Sequence, residues 1–381
     1  MQVGIGYSQE RDPAQAGRLA AGQAVEQSGE PAITFLFCTA NYAPELIWQA
    51  VKGVIGKSKL VGTSTPGIIT NNDRILEQGV GVCTISGPKI QAVTSLQENI
   101  ALSPWKSGEE TGHKLRTSGI DSGTVFVFPD GFAANISDLL RGIYNVLGPH
   151  FTYIGGGSGD NLKFFKSYQF TDQGFAHSAL AVALVQGINF QIGTGHGWKP
   201  SGQPMVVTKA RGKKVYEIDG RPAFEVYAEC LEDIDKSNFS YYGMKHPLGI
   251  PSVGNNFLIR DPLKVEDDNA ITFITEVPQN TVATLMEGAV DDLITTAEKV
   301  ANSAVTAVTF PKVAFLFDCV SRYLLMGKEF ERELRAVRNA VGSNVPMVGM
   351  LTFGEVGTFS GIPFFHNKAL AVAVGGVADV F

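Results

Sequence analysis

The sequence has few cysteines, no excess of basic residues and no long apolar run. Only 4 of its 381 residues are cysteine, and none of them forms a Cys-x-x-Cys pair. Scattered thiols of this kind are typical of a reducing compartment, whereas small secreted proteins use cysteine for disulfides. Lys and Arg total 31 against 37 Asp and Glu, which gives a formal net charge of -6. We therefore expect no nucleic-acid partner, because nucleic-acid-binding proteins carry a basic surface.

Several segments and motifs that would identify other classes of protein are also missing. No run approaches the roughly 18 apolar residues that a membrane-spanning helix needs. Residues 1–7 lack the basic and apolar regions of a secretory signal. No His, Cys or Asp spacing indicates zinc, and no Gly-x-Ser-x-Gly or Ser-x-x-Lys motif indicates a hydrolase. We expect a cytoplasmic protein without a membrane span, without a metal site and without catalytic residues.

What the sequence does contain is a pattern that occurs three times. A short apolar run is followed by a helix-like segment, a glycine-containing strand and a second apolar run. The first runs are Phe35 to Cys38, Val125 to Phe128 and Ala314 to Phe317. In each copy a glycine (Gly62, Gly155, Gly349) precedes a hydroxyl residue (Thr65, Ser158, Thr352) by three positions. Four apolar residues are too few for a helix and predict a buried strand.

The pattern predicts an α/β protein with mixed sheets built from repeated β-α-β-β units. A length of 381 residues favours more than one domain. After residue 188 the sequence pattern changes to one that predicts short strands and turns, and a polar stretch follows at 225–240. We predict two domains, 1–228 and 229–381, with a long helix from Met286 to Val305 before the third unit.

Several motifs, taken in order, resemble the FIST family. They are Gly155-Gly-Gly-Ser-Gly-Asp-Asn161, Gly197-Trp-Lys-Pro200, Asp219-Gly-Arg-Pro-Ala223, Phe317-Asp-Cys-Val-Ser-Arg322, Gly354-Glu355 and Phe365-His-Asn367. The resemblance is to a FIST N domain followed by a FIST C domain, and it covers nearly the whole chain. The sequence departs from the family pattern at Lys368 and Ala369, where Gln and Thr are usual after the asparagine.

The resemblance implies an intracellular sensory protein of bacterial signal transduction that binds a small ligand. Amino-acid-like ligands are suggested for the family. Some stand-alone members are haem-binding nitric-oxide sensors that regulate histidine kinases or cyclic-di-GMP enzymes. The chain has no kinase or cyclase segment of its own, so a separate signalling protein is the expected partner.

The predicted ligand-binding residues lie in four of these motifs. They are Gly157, Ser158, Asp160, Asn161, Asp318, Cys319, Arg322, Glu355, His366 and Asn367. The glycine-rich loop lacks the Lys-(Ser/Thr) ending of a P-loop. It predicts either a backbone-lined pocket in which Asp160 receives an ammonium group or a tight turn that Asp160 stabilises by itself.

The segment after the third unit's first strand allows two interpretations as well. Arg322 offers a planar fork for a carboxylate at a strand end, where α/β sheets bind ligands. Alternatively, Asp318 caps a helix and Arg322 is a surface charge. Cys319 as a nucleophile is a further alternative, and simple burial of the thiol competes with it.

Glu355 occupies the position in the third unit that Asp160 has in the second, which indicates either a shared pocket or turn chemistry. His366 fits a histidine bonded into the core. No cofactor is expected from the residues themselves, and the haem alternative would need His196 or His366 as an axial ligand. Four hypotheses follow: a small-ligand sensor that is not an enzyme, a haem-based gas sensor, an enzyme using Cys319 or the acidic pair, and a scaffold whose pocket is vestigial.

Overall fold

The computed structural model describes residues 1–231, 234–252, 256–359 and 361–377, and one structural unit occurs in it three times. Each repeat has the order β-α-β-α-β, then a two-stranded hairpin, then a last strand. The elements of the first repeat are β1 (Gln2–Ser8), α1 (Pro13–Ser28), β2 (Ile33–Thr39), α2 (Pro44–Ile55), β3 (Lys59–Thr65), β4 (Ile68–Ile69), β5 (Ile75–Leu76) and β6 (Val80–Ser86).

The second repeat follows the first directly and has the same order of elements. It consists of β7 (Gln91–Glu98), α3 (Pro104–Arg116), β8 (Gly123–Pro129), α4 (Ile136–Leu147), β9 (Phe151–Gly156), β10 (Tyr168–Thr171), β11 (Gly174–His177) and β12 (Ala179–Gln186). The predicted β-α-β-β unit is therefore confirmed, and the structure extends it by a preceding strand and helix.

The third repeat is interrupted by an inserted sheet. The insertion contains β14 (Lys199–Pro200), β15 (Met205–Arg211), β16 (Lys214–Ile218), β17 (Arg221–Pro222), α5 (Ala223–Glu229), α6 (Phe239–Lys245), β18 (Leu248–Pro251), β19 (Phe257–Arg260), β20 (Pro262–Val265), β21 (Ile271–Phe273) and β22 (Thr281–Glu287). Before it lies β13 (Ile188–Gly195). After it come α7 (Val290–Thr306), β23 (Pro311–Cys319), α8 (Val320–Met326), a 3-10 turn (Gly327–Glu329), α9 (Phe330–Val341), β24 (Met347–Thr352), β25 (Glu355–Phe359), β26 (Ile362–His366) and β27 (Leu370–Val377).

The hairpin of each repeat pairs with the sheet of another repeat. β4 and β5 of the first repeat extend the third sheet beyond β24, while β25 and β26 of the third extend the second sheet beyond β9. β10 and β11 of the second repeat extend the first sheet beyond β3. The exchange is cyclic, so each of the three six-stranded sheets is completed by another repeat.

Six phenylalanines from the three equivalent strands form two layers at the centre of this arrangement. The layers are Phe35, Phe126 and Phe315, then Phe37, Phe128 and Phe317. Ring centroids lie 4.5 to 5.3 Å apart in the first layer and 5.7 to 6.3 Å apart in the second. All six side chains are buried. The predicted buried strands β2, β8 and β23 therefore surround a common pseudo-threefold axis.

The repeated glycines allow the parallel strands of each unit to lie close together. A Cβ atom on Gly62, Gly155 or Gly349 would lie 1.9, 2.1 or 2.0 Å from a carbonyl oxygen of the neighbouring strand. Those oxygens belong to the equivalent residues Leu36, Val127 and Leu316. Only glycine fits at such a distance, so the repeated glycine is explained by the close contact between the two backbones.

The long helix lies close to its predicted position but begins later. The predicted helix begins at Met286, but that residue belongs to β22 and is buried. α7 starts at Val290. The mixed α/β architecture is as predicted. The boundary between 228 and 229 stays a prediction, and we note that β13, which precedes it, pairs with β27 of the third repeat.

Candidate functional site

A cavity of about 130 Å³ lies where the third repeat meets the inserted sheet, beside the carboxyl end of β23. Its polar lining comes from Asp261, Cys319, Ser321 and Asn367, together with Ser240 on α6. Its apolar lining includes Leu162, Phe164, Met244, Leu324 and Phe353. We call it the interface cavity. It contains two of the predicted ligand-binding residues, Cys319 and Asn367.

Cys319 is the last residue of β23 and immediately precedes α8. Its side chain is buried, with Sγ 3.1 Å from the Ser321 Oγ. Burial raises the pKa of the Cys319 thiol, and the nearby carboxylates of Glu355 and Asp261 raise it further. Since the thiolate is the nucleophile, a thiol held in its protonated form is poorly suited to covalent catalysis.

Glu355 lies behind Cys319 and is completely buried. Its carboxyl group accepts hydrogen bonds from the Thr352 hydroxyl and from the backbone N–H of Ala369, at 2.5 and 3.1 Å. Burial raises the pKa of Glu355 to about 8, although these hydrogen bonds, the Cys319 thiol and the charge of Arg322 act in the opposite direction. The predicted role of Glu355 as a pocket residue is therefore indirect, through Cys319.

Asp261 and Lys368 form an ion pair at the wall of the interface cavity. The Lys368 Nζ lies 3.0 Å from the Asp261 Oδ1 and also donates to the Met244 carbonyl at 2.8 Å. The ammonium group lies 5.3 Å from the centre of the Trp198 ring. Burial raises the pKa of Asp261, while hydrogen bonds from Lys368 and Ser321 lower it. Neither member of the pair was predicted, although a lysine between Asn367 and the apolar run of β27 is a signal for one of them.

Arg322 lies beneath the cavity floor and is completely buried, so its donors are used within the protein. Nε donates to Glu333 at 3.1 Å, and Nη2 donates to the other oxygen of the same carboxylate. Nη1 donates to the carbonyls of His196 and Lys368 at 2.6 and 3.2 Å.

Asp318 belongs to the same buried network, with its Oδ1 3.3 Å from the Arg322 Nε. Burial and the nearby carboxylate of Glu333 raise the pKa of Asp318 well above its usual range. Both alternatives offered for Arg322, a ligand fork and a surface charge, differ from this arrangement. The guanidinium joins β23, α9 and the start of the inserted segment.

Asp160 organises its own loop, which is one of the two predicted alternatives. Its carboxylate accepts hydrogen bonds from four successive backbone N–H groups, those of residues 163 to 166, at 2.8 to 3.2 Å. The loop, which we call the cap loop (residues 160–166), covers the carboxyl ends of the central strands. Leu162 and Phe164 project from it into the wall of the interface cavity.

The neighbouring predicted residues stabilise the same region. The Gly157 N–H donates to the Gly354 carbonyl at 2.7 Å, which joins the second and third repeats. Ser158 is buried, donates to the Pro129 carbonyl at 2.9 Å and accepts from the Thr63 hydroxyl. Asn161 donates to Asn41 and faces a different cavity, of about 420 Å³, between the first and third repeats. These three residues therefore lie outside the interface cavity.

The two histidines considered for haem lie together at another cavity, of about 180 Å³. The Nδ1 of His196 accepts the Trp198 N–H at 2.9 Å. Burial and the charge of Arg322 lower the pKa of His196 to about 4, and a hydrogen bond to the Phe257 backbone raises it. Burial also lowers the pKa of His366 to about 3.

Sites for small organic ligands usually measure about 300–1,000 Å³, and a haem would first have to break the hydrogen bonds of His196. The residues at this cavity, as far as the structure describes them, do not fit haem.

Two other structural findings bear on the class of protein. Within the described ranges, no group of three or more His, Cys, Asp or Glu residues is placed to hold a metal ion. No helix among those residues has the length and apolar character needed to cross a membrane.

Comparison with known proteins identifies the family. The fold and the cavity define an α/β protein of three interlocked repeats with a small pocket beside an inserted sheet. Residues 32–221 match the FIST N domain and residues 223–358 match the FIST C domain. The chain therefore belongs to the FIST family, whose domains are associated with sensing in signal transduction.

The relatives found among curated proteins are themselves uncharacterised. One from Methanocaldococcus jannaschii is 25% identical over 341 residues, which are 82% of this chain and 65% of that protein. The chain thus spans about two thirds of that relative's length. One from Mycobacterium tuberculosis is 24% identical over 395 residues, covering 98% of this chain and 99% of the relative. Among solved structures, a chorismatase aligns over 99% of this chain and 98% of its own at 8% identity and a TM-score of 0.38, too low a similarity to support an inference.

Proposed function

We propose that this protein is a small-ligand sensor that is not an enzyme, in which the interface cavity holds the ligand and a separate signalling protein reads the result. The observation that carries the proposal is the cavity itself, which is formed jointly by the third repeat, the inserted sheet and the cap loop. A ligand there touches three parts of the molecule at once. Membership of a sensory family supports the same function.

The lining of the interface cavity favours a ligand with an apolar body and one hydrogen-bond donor. Asp261 and the hydroxyl of Ser321 provide the acceptors. The nearby cations are already used, since Lys368 pairs with Asp261 and Arg322 with Glu333. A cavity of about 130 Å³ is below the usual range for drug-sized ligands, which is roughly 300–1,000 Å³. A small amine, about the size of an amino acid side chain, fits this description, and so does a small amino acid. A larger zwitterion fits it less well.

The cap loop is the element through which a ligand in the interface cavity would change the surface of the protein. Leu162 and Phe164 line the cavity with positive φ values of 61° and 53°. Such a conformation costs about 1–3 kcal/mol for a residue other than glycine. Phe165, the next residue, is 85% exposed. A ligand that changes the packing of Phe164 would reorient Phe165, and a cytoplasmic histidine kinase or cyclic-di-GMP enzyme is the class of partner we propose for this surface.

Cys319 is the nucleophile that one form of the enzymatic alternative would use. Its thiol is buried, and the neighbouring carboxylates favour the protonated form. The proposal therefore assigns Cys319 a place in the cavity wall and no covalent step.

A binding screen with a cavity-filling variant tests the proposal. Thermal unfolding of the purified protein is measured with individual amines and amino acids, because a ligand of the folded state raises the midpoint as its concentration increases. We expect a hit to lose its effect in Ser240→Trp, which places an indole at the mouth of the cavity. Ser237→Trp, an exposed serine outside the cavity, is the matched control.

Hydrogen exchange provides the second measurement for the same ligand. Binding should slow exchange of the N–H groups of residues 163 to 166, which Asp160 holds. A hit that stabilises Ser240→Trp as strongly as the unmodified protein would show that the ligand binds elsewhere.

A further inference from the structure

A second and larger cavity, of about 380 Å³, lies on the other side of the inserted sheet. Its walls come from the start of α4, the β25–β26 hairpin and the strands of the insertion. Arg260, Arg141, Ser137 and Glu276 provide its polar groups, with Asp138 at the rim. This volume is within the range of about 300–1,000 Å³ that is usual for small-molecule sites. We call it the arginine cavity.

Arg260 is only 4% exposed, and the nearby carboxylate of Glu276 acts on its charge without forming an ion pair with it. Nε donates to the Glu276 carbonyl at 2.8 Å, and Nη1 donates to the Ile259 carbonyl at 3.0 Å. A longer contact of 3.5 Å joins Nη1 to the Phe365 carbonyl. Among the described residues no carboxylate lies within ion-pair distance of Arg260, and Nη2 has no acceptor. A buried charge without an ion-pair partner is costly, so an anion in the cavity would relieve that cost.

Arg141 provides a second guanidinium at the mouth of the arginine cavity. It lies one turn into α4 and pairs with Asp138 at 3.3 Å, with both side chains largely exposed. Exposed pairs of this kind contribute little, about 0–1 kcal/mol, and exchange partners readily. α4 itself begins at the cavity after Asn135, whose φ is 58° and whose side chain makes no capping hydrogen bond. The helix end adds a weak preference for negative charge.

Glu276 limits what kind of anion the cavity accepts. Its carboxylate lines the same space and accepts a hydrogen bond from the Ser137 hydroxyl. A ligand with several negative charges and no O–H or N–H group would be repelled there. A small anion that also carries an O–H or N–H group would satisfy both Arg260 and Glu276.

We propose that the arginine cavity is a second binding site, which takes a small oxyanion, a carboxylate or phosphate group, on Arg260 and Arg141. Arginine suits both groups because its planar fork matches two oxygens at once. The site is separate from the interface cavity. Arg260 and Asp261 are consecutive, yet Arg260 lines one cavity and Asp261 the other. The proposal therefore does not depend on the sensor function.

Calorimetric titration with inorganic phosphate and with acetate, at constant ionic strength, tests this proposal. We expect saturable binding of at least one of the two anions, and their comparison distinguishes a phosphate from a carboxylate site. Arg141→Gln should weaken that binding about tenfold, as expected for the loss of one hydrogen bond between charged groups. Arg332→Gln removes the same charge from an exposed position on α9 and should leave the binding constant unchanged.

Arg260→Lys provides an independent measurement, since it keeps the charge and removes the fork. We expect weaker anion binding in this variant. If Arg260→Lys does not fold, the Arg141→Gln and Arg332→Gln pair still decides the question. Absence of saturable binding by both anions would overturn the proposal. Equal weakening in the two glutamine variants would do the same, because it would indicate general screening of charge.

Discussion

At the carboxyl end of β23, neighbouring polar residues have different roles. Cys319 lines the interface cavity, whereas Asp318 and Arg322 are buried behind it. The sequence motif identified this region, because polar residues directly after an apolar strand run indicate a strand end. It could not distinguish the roles, since Glu333, which binds Arg322, comes from α9 and is 11 positions away. Asp261 and Lys368 were missed for the same reason: their pairing depends on how the insertion packs.

Glu355 makes the stability of the protein depend on pH. In the folded protein the pKa of Glu355 is about 8, whereas its ordinary value, which applies to the unfolded chain, is 4.5. Between these values the unfolded state binds fewer protons, so the free energy of unfolding falls as pH rises. The fall is at most about 1.4 kcal/mol per pH unit for one group. We expect Glu355→Gln to lose this contribution, so that the wild type loses stability relative to the variant as pH rises across the interval.

Urea denaturation at the two ends of that interval measures the effect. Asp318 is another buried carboxyl group whose pKa is raised, and the charge of Glu355 contributes to that shift, so the difference between the two proteins includes any change at Asp318. Glu331→Gln, at an exposed position of α9, is the control and should follow the wild type. Identical pH profiles for wild type and Glu355→Gln would mean that Glu355 is ionised in the folded protein.

At the scale of elements, the sequence predicted strands and helices well where the pattern was local. The runs around Phe35, Phe126 and Phe315 are the central strands, and the helix-like segments after them are α2, α4 and α9. The destinations of the hairpins could not be predicted. β4 and β5 have two residues each. Nothing in so short a sequence indicates that β4 pairs with β24, some 280 positions away along the chain.

The repeated glycine gives the sharpest prediction at this scale. Gly349→Ala would bring a Cβ within 2.0 Å of the Leu316 carbonyl oxygen. Because β23 and β24 would have to separate, we expect a loss of at least about 2 kcal/mol in the free energy of unfolding. Gly53→Ala is the matched control, since a Cβ on Gly53 in α2 meets nothing within 4 Å. There the substitution should stabilise the protein by about 0.5–1 kcal/mol, as alanine is the better helix former.

Chemical denaturation of both variants, with the slope compared as well as the midpoint, provides the measurement. The equivalent substitutions Gly62→Ala and Gly155→Ala should be as damaging as Gly349→Ala, because the distances are 1.9 and 2.1 Å. A Gly349→Ala protein as stable as the wild type would contradict the assignment of this glycine to strand packing.

At the scale of the whole molecule, the three repeats exchange hairpins in a cycle. Three separate one-repeat subunits could exchange hairpins in the same way to form a ring. Here the links between β6 and β7 and between β12 and β13 join the three repeats into one chain. Each repeat therefore depends on the others for a sheet edge and for two of the three rings in each phenylalanine layer. The sequence showed that there were three units, but it could not show that they interlock.

Interlocking predicts that two repeats without the third will not fold. In a fragment of residues 1–187, β4 and β5 lack β24, and β9 loses its contact with β25. Both phenylalanine layers lose a ring, since Phe315 and Phe317 are absent. We expect this fragment to show no cooperative thermal unfolding and little dispersion in its amide NMR spectrum. Mixing it with residues 188–381 should restore both, because the missing strands are then supplied in trans. A fragment that unfolds cooperatively by itself would mean that the hairpin exchange contributes little to stability and that the repeats are independent folding units.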